Sequence, residues 1–174
     1  KADIGLAFDG DADRCFLIDE NGDLVNPSAL TGLIAVRELK ANPGATIIYN
    51  LISSKAVAEV ISENGGIALR SRVGHSYIKT LMAESGAVFG GGHSGHFYFG
   101  DFWRADSGML AALYALAELM ATPKSLSNLL EPYNRYFSSG EINSKVKDAS
   151  KSFKLVKDKY QDKYQVDELD GLTV

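Results

Sequence analysis

Three short stretches gather the side chains whose types and spacing could do chemistry. The first is Asp9-Gly10-Asp11-Ala12-Asp13-Arg14. Carboxylates this close repel one another unless a cation joins them. Mg²⁺, a hard ion that prefers oxygen ligands in octahedral geometry, is the natural candidate. It usually takes few protein carboxylates and completes its shell with water and substrate phosphate. Arg14 adds the planar fork that suits a pair of phosphate oxygens. The stretch therefore reads as a metal site for handling a phosphorylated ligand, with Asp9, Asp11 and Asp13 as ligands.

Three other readings compete. Asp9, Asp11, Asp13 and Glu20 fall on positions one, three, five and twelve of an EF-hand loop. The sixth position should be Gly for the sharp turn, and here it is Arg14. An Mg²⁺-dependent phosphatase with an aspartyl nucleophile could use Asp9 and Asp11, but Asp13-Arg14 departs from that pattern. A solvated acidic turn would explain the charge, though not three alternating aspartates beside an arginine.

The second stretch is Gly90-Gly91-Gly92-His93-Ser94-Gly95-His96. Glycines let backbone N–H groups approach a ligand closely, and His93, Ser94 and His96 can hydrogen-bond hydroxyls or phosphate. No Gly-Lys-Ser/Thr follows, so this is not a nucleotide P-loop. The two histidines have no cysteine or carboxylate close by in sequence to complete a zinc site. A flexible turn is the plain alternative. The third stretch, Arg72-Val73-Gly74-His75-Ser76, puts His75 before a helix start, a place suited to anions.

The totals bound what these stretches can serve. The chain has 174 residues, net charge −4 and 45% apolar content, ordinary for one soluble globular domain. The charge gives no sign of nucleic-acid binding. No apolar run is long enough to span a membrane, and cytoplasm is the default location. The single cysteine, Cys15, excludes an internal disulfide and a cysteine-built zinc site, and its apolar neighbours mark it as a core thiol.

The elements that must position these residues alternate. Apolar runs at 4–8, 15–18, 46–49, 67–69, 87–89 and 97–99 read as strands. Between them lie helical stripes: one capped by Ser28, one from about Ser54, one capped by Ser76, a long one capped by Asp106 and a short one from Ser125. Strands alternating with helices argue for an α/β layered domain, a mixed sheet with flanking helices. The unusual residues all follow strands, where ligands of such folds bind. From Ser139 the texture changes. Residues 141–146 read as extended, and 151–164 as a Lys- and Asp-rich linker helix. The absence of an initial Met and a strand-like start at the last residues suggest a piece of a larger protein.

In order and spacing, Asp9 to Arg14, Val73-Gly74-His75, Gly91 to His96 and Asp106-Ser107-Gly108 resemble the α-D-phosphohexomutases, the phosphomannomutase and phosphoglucomutase superfamily. The resemblance implies four domains around one cleft. Residues 1–20 would end domain 2 with its metal-binding loop, 21–140 would form domain 3, and 141–174 would be the linker and start of domain 4. It also implies interconversion of hexose 1- and 6-phosphates through a phosphoserine, supplied by an absent domain, and a bisphosphorylated intermediate. Asp9, Asp11 and Asp13 would hold Mg²⁺. Arg14, His75 and His96 would act as catalytic groups, and Gly74 with Gly91, Gly92, His93, Ser94 and Gly95 would contact the sugar phosphate. Partners would be the hexose phosphate and the remaining domains, with a non-catalytic sugar-phosphate module as the alternative.

One position departs from the family. The sugar loop there reads Gly-Glu-x-Ser-Gly, and residue 92 is Gly. A hydrogen bond to a charged group is worth about 1.5–3 kcal/mol, so sugar affinity should fall, and Gly92→Glu should raise turnover on mannose 1-phosphate.

Overall fold

The structure is a computed structural model that describes residues 2–174. The chain divides into two compact units, one ending at Tyr136 and one spanning Phe137–Val174.

In the first unit, β1 (Gly5–Phe8) and β2 (Cys15–Ile18) form an antiparallel hairpin whose connection is the aspartate stretch. The Phe8–Cys15 pair closes the ladder at the mouth of that loop. The five-stranded sheet is built from β3 (Thr46–Asn50), β4 (Ile67–Ser71), β5 (Phe89–Gly91), β6 (Phe97–Phe99) and β7 (Ala105–Asp106). Its order is β4-β3-β5-β6-β7, with β3 parallel to β4 and β5, and β6 antiparallel to β5 and β7. The parallel pairs need crossovers. These are α2 (Lys55–Glu63) between β3 and β4, and α3 (His75–Ser85) between β4 and β5.

Alternation along the strands divides the core. Ile47, Phe89, Phe97 and Phe99 face one side, where they join α1 (Pro27–Ala41), α2, α4 (Gly108–Met120) and α5 (Leu126–Leu130). Ile48 and Tyr98 face the other side, where α3 supplies Ile78 and Met82. The result is an α/β/α layer around a mixed sheet, the fold class the alternating pattern predicts. Cys15 and Leu17 of the hairpin sit in the larger core. Burial pushes the Cys15 thiol up to about 11, which makes it the inert packed group expected.

Local chemistry moves several helix starts. Ser54 and Ser125 cap α2 and α5 as expected. Ser28 does not cap α1: Asn26 accepts from the Ser28 N–H, and Pro27, which has no N–H to satisfy, takes the first helical position. Ser76 does not cap α3, which begins at His75 after Gly74 at φ +132° with no side-chain cap. Asp106 does not cap α4 either: Ser107 accepts from the Leu110 N–H. The fifth strand starts two residues later than the apolar run predicts, because Gly90 and Gly91 carry the ladder in place of Ala87 and Val88.

In the second unit, Asp148 caps α6 (Ala149–Tyr160) by accepting from the Lys151 N–H. The helix ends before Tyr164, four residues earlier than the expected stripe. No strand forms at 141–146, and at the end an antiparallel bridge joins Asp167 to Thr173. Among the described residues no helix is long and apolar enough to cross a membrane.

Candidate functional site

The aspartate loop is held from three sides. The Arg14 N–H and Nε both donate to the Asp9 carboxylate, at 3.2 and 2.7 Å. Ala12 adopts φ +59°, a left-handed conformation rare for a residue with a Cβ. The Gly108 N–H, at the start of α4, donates to the Ala12 carbonyl at 3.1 Å. A Cβ at Gly108 would lie 2.4 Å from the Arg14 carbonyl oxygen, so a glycine there is what lets α4 close on the loop. Below, the Cys15 N–H donates to the Gly95 carbonyl at 3.0 Å, and Arg14 bridges to His96 through the backbone. The aspartate and glycine stretches, some eighty residues apart in the chain, are thus stitched together by main-chain bonds.

Asp9, Asp11 and Asp13 bring one oxygen each to within 4.8 Å of one another. The Arg14 hydrogen bond holds the Asp9 carboxyl below its ordinary value. Burial pushes Asp13 up; the charges of Asp11, Asp106 and Asp9 push the same way, against His96. Among the described residues, Asp13 Oδ1 is the buried side-chain polar atom that lacks a hydrogen-bond partner. A buried acceptor without a donor costs free energy, and a cation is what would relieve it. The all-oxygen donor set suits a hard divalent ion.

Gly92 to Gly95 form a tight turn, with the Gly95 N–H on the Gly92 carbonyl at 3.2 Å and the Gly92 N–H on the His96 carbonyl at 3.1 Å. Gly95 has φ +86°, and a Cβ there would meet the Phe16 ring at 2.8 Å. Gly91 lies inside β5, where the lack of a side chain admits Thr31 of α1; a Cβ would come within 2.4 Å of it. Gly92 is buried, and its missing Cβ would lie 2.5 Å from Asn50 Nδ2. Asn50 is fixed in turn by the Ser53 hydroxyl at 2.7 Å and the His93 N–H at 3.4 Å, both donating to its Oδ1.

The three histidines separate into two settings. His96 and His75 meet edge to face with ring centroids 4.3 Å apart. Their Nδ1 atoms lie 3.0 and 3.2 Å from Asp106 Oδ2, and Lys79 Nζ lies 3.5 Å from Oδ1. The Tyr98 hydroxyl is 3.1 Å from His75 Nδ1. His93 is elsewhere: its Nδ1 pairs with the Ser28 hydroxyl at 3.0 Å, and the same hydroxyl accepts from the Ser54 N–H.

Of the residues singled out in the sequence, the structure gathers Asp9, Asp11, Asp13, Arg14, His75 and His96 into one cluster and leaves His93 outside it. It adds Asp106, Lys79, Tyr98 and Asn50. Lys79 was within reach of a helical count, four residues after His75 on one face of α3. Tyr98 was within reach of a strand count, two after His96 on one face of β6. Asp106, singled out in the sequence only as a helix cap and within the Asp106-Ser107-Gly108 motif, reaches the histidines through its register opposite Tyr98, which no local pattern encodes.

Comparisons with known proteins agree with this layout. Residues 26–136 match the family described as phosphoglucomutase/phosphomannomutase, alpha/beta/alpha domain III. A phosphomannomutase from Methanocaldococcus jannaschii is 43% identical over 174 residues, which is 100% of this chain and 38% of that protein. One from Escherichia coli K12 is 38% identical, over 99% of this chain and 38% of its own length. The crystal structure of a phosphoglucomutase/phosphomannomutase family protein from Burkholderia thailandensis superimposes with a TM-score of 0.86 at 32% identity, covering 98% of this chain and 37% of that one. The fold is that of a phosphohexomutase domain III. The chain belongs to the phosphoglucomutase/phosphomannomutase family, and it spans about 38% of the length of the curated relatives it matches.

Proposed function

We propose that this chain is the metal-binding and sugar-gripping part of a phosphosugar mutase that interconverts hexose 1-phosphate and hexose 6-phosphate in the cytoplasm. Residues 1–20 end its second domain, 21–140 form its third, and 141–174 lead into its fourth. The observation that carries the reading is the convergence of the Asp9–Asp13 carboxylates, Arg14, His75 and His96 at the carboxyl ends of strands in a phosphohexomutase fold.

Asp9, Asp11 and Asp13 hold Mg²⁺, which when bound draws charge off a phosphate oxygen. Arg14, tethered to Asp9, presents its remaining donors to the transferring phosphoryl group. His96 and His75, steadied by Asp106, offer their ring edges to the sugar phosphate, and the groups around Gly74 and Ser94 offer polar contacts, while Gly92 and Gly95, buried and with N–H and carbonyl engaged in main-chain bonds, hold the loop in shape. His93 supports the loop from beneath through Ser28. Gly91 shapes it by letting α1 approach. The phosphoryl group itself comes from a phosphoserine on another domain. It passes to a sugar hydroxyl, giving a bisphosphate that returns its other phosphoryl to the serine.

The full-length protein, assayed with Mg²⁺ and mannose or glucose 1-phosphate, is expected to form the 6-phosphate. The 174-residue chain alone is expected to form none. Asp11→Asn in the full-length protein should lower kcat/KM by more than about 100-fold, since even partners behind a metal ligand are worth 10–100-fold. Release of inorganic phosphate in place of the 6-phosphate would point to a phosphatase. No reaction with any hexose phosphate would leave the non-catalytic module.

A further inference from the structure

The carboxyl ends of the three parallel strands open side by side, in the order β4, β3, β5. β4 runs on to Gly74 and His75, and β5 to the Gly92–His96 turn. The middle strand, β3, runs on to Asn50-Leu51-Ile52-Ser53. That segment is a braced turn. The Ser53 N–H donates to the Asn50 carbonyl at 3.0 Å, and the Leu51 N–H to the Ser71 carbonyl of β4 at 2.9 Å. Its polar side chains are used on protein partners. The Ser53 hydroxyl and the His93 N–H both donate to Asn50 Oδ1, at 2.7 and 3.4 Å, and Ser54 caps α2. What the turn presents to solvent is Ile52, which is 52% exposed.

A lone exposed isoleucine is ordinary on a protein surface. This one is set apart by its place and by the rigidity of the turn that carries it. Ligands of open α/β sheets bind outside the carboxyl ends of the strands. Asn50, two residues before Ile52, lies against the sugar loop at both Gly92 and His93. Gly92 supplies no side chain, and Val73, beyond the neighbouring strand end, is exposed as well. This part of the rim is therefore apolar. The polar groups His75, His96 and Asp106 gather instead beside β6 and β7.

We propose that Ile52 is a specificity-determining residue of the mutase site, packing on the carbon-bound hydrogens of the hexose ring. The inference rests on the mutase function proposed for the parent protein. One serine gives a phosphoryl group to one end of the sugar and takes it from the other, so the ring must bind in two orientations. A substituent on either side of the ring then meets this rim in one of the two. A neutral hexose can lay its C–H groups on the isoleucine and keep its hydroxyls for partners elsewhere. An amino sugar would set an ammonium there, stripped of water and without an acceptor, which is the costly case. The site thus favours mannose or glucose phosphates over glucosamine phosphates. One methylene in an apolar pocket discriminates by about 10–200-fold, and a half-open contact belongs at the low end.

The full-length protein, with Mg²⁺, is assayed on mannose 1-phosphate and on glucosamine 1-phosphate, and the ratio of the two kcat/KM values is read. The unmutated ratio should favour mannose 1-phosphate by about 10-fold or more. Ile52→Ser should narrow it by about 10-fold, and Ile52→Val should keep it. Ile67→Ser is the control. Ile67 is 59% exposed at the opposite end of β4, and its loss should leave the ratio unmoved. With isotope-labelled isoleucine methyl groups, mannose 1-phosphate should shift the Ile52 signal and leave that of Ile67 in place, which tests the contact without any variant. A ratio unmoved in Ile52→Ser would overturn the proposal. So would an unmutated preference for glucosamine 1-phosphate, or an Ile52 methyl that stays still while other signals respond. Absence of any interconversion by the unmutated protein would overturn the mutase reading itself, and this inference with it.

Discussion

His93 and His96 stand three residues apart in one loop, yet they live in opposite chemistry. His96 is set among Asp13, Asp106 and the His75 ring. His93 faces a serine hydroxyl at the start of α1 and the side chain of Asn50. The turn at Gly92–Gly95 makes the difference: it reverses the chain so that His96, just before β6, lies on the α3 face while His93 stays under α1. In a strand alternation would decide the face; in a tight turn it does not. The same stretch therefore carries one histidine set among carboxylates and another set among hydroxyl and amide groups.

Removing each setting in turn should sharpen the contrast. His96→Ala leaves the side chains of Asp13 and Asp106 facing each other without the imidazole between them. The cost should be about 3 kcal/mol in urea unfolding, the upper range for an abandoned buried polar partner. Ser28→Ala removes the acceptor of the Ser54 N–H and the partner of His93, in a neutral setting. The expected loss is about 1–2 kcal/mol. Equal losses from the two variants would erase the distinction.

Gly92 lies between the two settings, and Gly92→Glu tests how rigid the turn is. The space its side chain needs holds Asn50, which Ser53 and the His93 N–H fix in place. Forcing atoms into such a site costs about 1–3 kcal/mol. The single change should lower Tm and fail to raise turnover on mannose 1-phosphate. The gain expected from the family pattern should emerge only when Asn50→Ala is added. A gain from Gly92→Glu alone would show that Asn50 yields freely.

A smaller effect concerns a carboxylate in a hydroxyl setting like that of His93. Glu20 accepts from the Ser127 N–H and hydroxyl at the start of α5, and the hydroxyl bond holds its carboxyl down to about 2. A folded-state value below the unfolded one means the stabilisation is full above about pH 4.5 and is lost as pH falls toward 2. Urea midpoints measured across that window should decline more steeply for the unmutated chain than for Glu20→Gln.

How much was legible in advance follows from the same physics. The layered α/β class came from alternating patterns, and the aspartate loop from like charges that need a reason to sit together. The caps at Ser28, Ser76 and Asp106 mislead because each has a rival beside it: Asn26 with Pro27 at the first position, Gly74 at positive φ, and Ser107. No carboxylate flanks His93 or His96 in sequence. The fold supplies Asp13 from eighty-three residues before His96 and Asp106 from the facing strand. Register across an antiparallel pair is invisible to composition and local spacing.

The central claim is that the Asp9–Asp13 loop is the metal-holding half of a phosphoryl-transfer site. Its most direct test is the backbone amide NMR spectrum of the 174-residue chain on adding Mg²⁺. Saturable shifts are expected at residues 9–14 and at Gly108, which bonds to Ala12, and they should be lost in Asp11→Asn. Shifts scattered over the exposed acidic residues, persisting unchanged in Asp11→Asn, would contradict it.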